Sequence, residues 1–238
     1  MGADSFTPDS GVMISKSNKA FSFYQWVIDA NPQDIGILDF IRPDGTPKYV
    51  TLGDYRQLAD ALFHAGTRSG SQAEHVDRPN GLHFYILSVS RDEEGILRYV
   101  TGIRAINNSR DPHTRGVSLG NGTAVTAGNT PTSRGVSCTF KLSNTGSYVT
   151  PSGRAHPEDV SKYLQSDIYR LRASVQGQGW SVVLPNLFAT AKFGEEVTVN
   201  VAVSAIQSAS AVGVVTLRAS SESDPGVTTT ATCSVNKA

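Results

Sequence analysis

A chain of 238 residues with 39% apolar and 18% charged side chains is long enough for one large domain or two modest ones and too apolar to be disordered. Its 21 basic and 21 acidic residues cancel, so no cationic excess points to nucleic acid or an anionic membrane as partner. No window of about 18 apolar residues exists, so no membrane-spanning helix is expected.

Residues 1–20 are polar apart from Val12, Met13 and Ile14, and lack the charged start and apolar stretch of a leader. A secreted protein would then have its leader upstream, and the chain would be a fragment. Residues 21–30 (FSFYQWVIDA) read as a buried strand, ended by Asn31-Pro32. A second apolar run at 35–41 precedes a turn at Pro43-Asp44-Gly45-Thr46-Pro47. A helix is predicted over about 54–65. Thr51 and Asp54 have capping-box spacing, Tyr55, Leu58, Ala59, Leu62 and Phe63 form one apolar face, and Gly66 suits a C-cap. Residues 81–90 and 95–105 read as a β-hairpin joined by Arg91-Asp92-Glu93-Glu94-Gly95.

The first half is therefore expected to be an α+β domain, residues 1–115. Composition shifts to Gly, Ser, Thr and Asn over 107–135. Beyond it, Val197, Val199, Val201 and Val203 give the cleanest period-2 pattern, and six or seven such strands are expected. The second half, residues 116–238, is expected to be an antiparallel immunoglobulin-like or fibronectin-like β-sandwich, so the whole chain reads as mainly β. Cys138 and Cys233 lie in strand-like runs near its two ends. They are either two buried thiols or one disulfide, and the extracellular look of the composition favours the disulfide.

No catalytic, cofactor-binding or metal-binding set emerges from the motifs. The five histidines, His64, His75, His83, His113 and His156, make no HExxH or HxH pair, and there is no CxxC. Gly-x-Ser-x-Gly, P-loop and dinucleotide fingerprints are absent. Carboxylates cluster in the first half at Asp29, Asp34, Asp39, Asp44, Asp54 and Asp60. Asp39 and Asp44 flank a turn and are the best calcium candidates, although no EF-hand spacing fits. Two N-glycosylation sequons occur, Asn107-Asn108-Ser109 and Asn121-Gly122-Thr123.

Val27-Ile28-Asp29-Ala30-Asn31-Pro32, then Asp44-Gly45 and Asp54-Tyr55, resemble the region after the zinc segment in secreted M6-type metalloproteases of the immune inhibitor A kind. Gly179-Trp180 and Gly194-Glu195-Glu196-Val197-Thr198-Val199 resemble sandwich domains appended to secreted hydrolases. The resemblance implies a secreted, non-catalytic C-terminal portion whose partner is a catalytic domain, or a second chain of the same protein, carrying the HExxH. Two other readings stay open. One is an extracellular carbohydrate-binding or cell-surface module using Trp26, Trp180, Tyr148 and Tyr163, although both tryptophans sit in core-like runs. The other is a hydrolase that brings together some of Asp29, Asp39, His64 and His83.

Overall fold

The computed structural model describes residues 10–16, 26–31, 50–51, 61–66, 69, 72–106, 113–126, 136–150 and 165–237. The chain divides into two units, Met1–Ile106 and Asn107–Ala238.

In the first unit, β1 (Val12–Met13) pairs antiparallel with β5 (Leu62–Phe63). β2 (Ser15–Lys16), β3 (Trp26–Val27) and β4 (Val50–Thr51) form a three-stranded sheet in that order. β6 (Glu74–Asp77), β7 (Leu82–Arg91) and β8 (Leu97–Ala105) form another. Ile28, Ala30, Phe63 and Ile86 make a small core, with Val12, Ile14, Ala65 and Tyr99 packed on it. The β7–β8 hairpin turns on Asp92, whose Oδ1 accepts from the N–H groups of Glu94 (3.1 Å) and Ile96 (2.8 Å). Gly95 takes the left-handed conformation, φ 81°, that the turn needs.

The α+β expectation for this unit is overturned. Among the described residues there is no α-helix, only a 3₁₀ turn at Arg78–Asn80. Of the segment expected to be helical, 54–60 lies outside the described residues and Leu62–Phe63 is strand. Ala61, Leu62 and Phe63 are all buried, at 0%, 4% and 1% exposure. Three consecutive positions span about 200° around a helix, more than a one-faced helix buries. A strand buried on both faces accommodates all three. Gly11 makes the pairing possible, since a Cβ there would stand 2.6 Å from the Leu62 Cβ.

In the second unit, β9 (Ser118–Leu119), β10 (Thr123–Thr126), β11 (Val136–Ser143), β13 (Trp180–Val183) and β15 (Glu196–Ala205) make a five-stranded sheet, ordered β10-β11-β15-β13 with β9 also on β11. β12 (Ser166–Gln176), β14 (Phe188–Lys192), β16 (Val212–Ser221) and β17 (Thr228–Asn236) make a four-stranded sheet, ordered β14-β12-β16-β17. All these pairings are antiparallel. Alternate residues of both sheets meet in one core: Cys138, Phe140 and Leu142 from β11, Val199, Val201 and Val203 from β15, Tyr169 and Leu171 from β12, Val215, Leu217 and Ala219 from β16, and Ala231, Cys233 and Val235 from β17.

Cys138 and Cys233 are disulfide-bonded, with Cα atoms 6.2 Å apart, and so tie the two sheets together. One stretch serves both sheets: β13 pairs with β15, then, after Leu184–Leu187, β14 pairs with β12. Pro185, which has no N–H for a ladder, lies at the crossing.

Candidate functional site

Of the clustered acids, Asp34, Asp39, Asp44, Asp54 and Asp60 lie outside the described residues, as do His156 and Tyr163. Asp29 is described, and its Oδ1 accepts from the Asn31 N–H at 2.6 Å, a local turn bond. His64 Nδ1 lies 3.3 Å from the Tyr99 hydroxyl. His83 bonds different groups again, so the bonds described for Asp29, His64 and His83 run to separate partners.

Among the described residues of the first unit is a polar cluster that motif reading missed. β6 and β7 place Val76 opposite His83 and Glu74 opposite Tyr85. His83 Nε2 meets Glu74 Oε2 at 2.8 Å, and its Nδ1 meets the Tyr85 hydroxyl at 2.6 Å. Arg104 Nε donates to the same hydroxyl at 3.4 Å. A carboxylate–imidazole–phenol chain has the parts of a proton relay, but Tyr85 is fully buried. Nearby, Lys16 Nζ donates to Asp77 Oδ1 at 2.8 Å and Asn80 Nδ2 to Asp77 Oδ2 at 2.7 Å. Burial raises the Asp77 carboxyl, but these hydrogen bonds and the Lys16 charge outweigh it and hold it below the ordinary carboxylate value.

In the second unit, Arg115 and the almost fully buried Asp167 form an ion pair at 3.5 Å. Asp167 also accepts from the hydroxyls of Ser221 (2.6 Å) and Ser223 (2.8 Å). Buried charge is tolerated where it is paired and hydrogen-bonded, as here. His113, Tyr148 and Phe193 pack as an aromatic trio, with His113 stacked on Tyr148 at 4.8 Å and Arg115 over Phe193 at 5.4 Å. Burial lowers the His113 pKa, and its Nδ1 accepts from the Val149 N–H at 3.0 Å.

Of the aromatic contact candidates, Tyr148 is part of this trio. Trp180 packs on Gly213 and donates its indole N–H to Ser210 (3.0 Å to the carbonyl). Neither ring stands free as a binding platform. Trp26 lies in β3 opposite Lys16 and Thr51.

A shallow cleft of about 270 Å³ lies along the four-stranded sheet, lined by Arg170, Arg172, Arg218, Ser220, Ser221, Glu222 and Pro225. Arg172 and Arg218 are direct cross-strand partners. Arg170 is neutralised by Glu222 at 2.6 Å and covers the Phe188 ring at 4.9 Å. The pairing was invisible in sequence because it depends on register between strands 46 residues apart.

Zinc needs three or four His, Cys or carboxylate ligands converging on one point. Among the described residues no group of three or more His, Cys, Asp or Glu is arranged to hold a metal. The described residues do not fit a peptidase zinc.

Two family models match the chain. One described as a middle domain covers residues 1–106, and one described as a peptidase M6-like domain covers 118–237. A protein of Arthroderma benhamiae named "Putative secreted metallopeptidase" is 60% identical over 240 residues, spanning 100% of this chain and 35% of that protein. The chain thus spans about a third of the length of this curated relative. A crystal structure of a FixG-related protein from Vibrio parahaemolyticus covers 53% of the chain and 97% of its own, at 17% identity and TM-score 0.30, too low to support any argument.

Proposed function

From a chain that belongs to the family of peptidase M6-like domains, we infer the non-catalytic accessory portion of a secreted metallopeptidase, packing on or positioning a catalytic domain elsewhere in the same protein. One observation carries this reading: the chain aligns end to end with a third of a protein named as a secreted metallopeptidase, while its own 238 residues contain no HExxH. The disulfide suits an oxidising compartment, as secretion provides. The buried ends of both polar networks, Tyr85 in one and Asp167 in the other, are consistent with a scaffold.

The test compares the whole protein with the 238 residues alone. The whole protein hydrolyses casein and a chelator abolishes the activity. The isolated region hydrolyses nothing, with or without added zinc, and its deletion lowers the yield or thermal half-life of the secreted enzyme. Chelator-sensitive hydrolysis by the isolated region would overturn the accessory reading.

A further inference from the structure

Asn121, Gly122 and Thr123 form a sequon that the fold presents in a particular way. A Cβ on Gly122 would stand 2.7 Å from the Phe140 ring and 2.8 Å from the Cys233 Cβ, so this residue faces the core beside the disulfide. Successive residues of an extended chain point to opposite sides. Asn121 and Thr123 therefore both point outward, and both are exposed.

The backbone is pinned there. The Gly122 N–H donates to the Thr232 carbonyl at 2.9 Å. In return the Thr232 N–H donates to Asn121 Oδ1, a long bond of 3.5 Å. An N–H donor facing the side-chain amide requires its oxygen on that side, which turns the nitrogen Nδ2 away. The fold uses Oδ1, and a glycosidic bond would use Nδ2, so the two demands fall on different atoms.

We propose that Asn121 is an N-glycosylation site. The oligosaccharide comes from a lipid-linked diphosphate donor. A bond forms between Nδ2 and the anomeric carbon, the anomeric carbon–oxygen bond to the diphosphate breaks, and Nδ2 gives up a proton. The attached glycan then covers the flank where β10 and β17 are the outer strands of their sheets, a place where uncovered edges invite pairing with other chains. The proposal rests on the secreted reading above, because this transfer requires a chain that enters a secretory route.

The full-length protein is secreted from a yeast host behind its own leader and, in parallel, behind a heterologous one. Trypsin releases residues 116–134, bounded by Arg115 and Arg134, and within that peptide only Asn121 begins a sequon. Mass spectrometry is expected to find this peptide glycosylated in most molecules. Thr123→Ala removes the glycan while leaving Asn121 and its bond to Thr232 in place, and Thr123→Ser keeps it. An unmodified 116–134 peptide from secreted protein overturns the proposal. Failure of secretion behind the natural leader counts against the proposed function instead, and the heterologous-leader protein then decides Asn121 by the same peptide.

Discussion

Trp180 shows how much a single side chain settles in the sandwich. It follows Gly179, which adopts φ 75° and has Ala209 Cα 2.9 Å from where a Cβ would be, so the turn before the indole tolerates no side chain. Across the ring, a Cβ on Gly213 would lie 2.6 Å from the indole. Trp180→Ala is expected to destabilise the second unit by about 3–5 kcal/mol in urea unfolding. Gly213→Ala should cost about 1–3 kcal/mol through overpacking. His113 carries a pH dependence. Its folded pKa lies below the ordinary 6.5 because burial disfavours the cation, so its contribution is complete above that pH and is lost as pH falls through it. Protonation would also set a donor against the Val149 N–H. Thermal melts should decline as pH drops from about 7 to 5, and His113→Gln should flatten that decline; an unchanged slope would assign it to another group.

The elements differ in how readable they were, and the reason is local against non-local pairing. β15 is legible because its alternating valines face one core and its polar residues face outward. The Gly-Glu signature before it also has a local cause. Gly194 adopts φ 79° in the turn from β14, and the Glu195 carboxylate accepts from the Lys192 N–H at 2.8 Å. β5 is hidden in the sequence because its apolar positions match helical spacing, and its partner β1 lies about 50 residues back along the chain. Gly66 has a positive φ of 98°, but it follows a strand and a bend, so it caps no helix. The element-scale test is Gly11→Val. It should break the β1–β5 pairing and lower the stability of the first unit by about 1–3 kcal/mol, whereas a helix over 54–65 would leave that position indifferent.

At the scale of the whole molecule, the candidate site was less legible than the fold. Absence of a zinc motif could be read directly, but the Glu74–His83–Tyr85 chain and the Arg172–Arg218 pair exist only once strands are in register. The chain divides between Ile106 and Asn107, ahead of the residue-115 boundary expected from composition, and Thr114 already pairs with Ser147 in the second unit. Removing the disulfide with Cys138→Ser and Cys233→Ser should cost the second unit about 4–5 kcal/mol on the chain-entropy model, read as a lowered urea midpoint. The same bond has a consequence for survival among proteases. Cys138 and Cys233 are 95 residues apart, so one cut anywhere between them leaves both pieces covalently joined. Nicked protein is expected to run as a single band on a non-reducing gel and as two once reduced. The second unit can thus be clipped between these cysteines without shedding either piece.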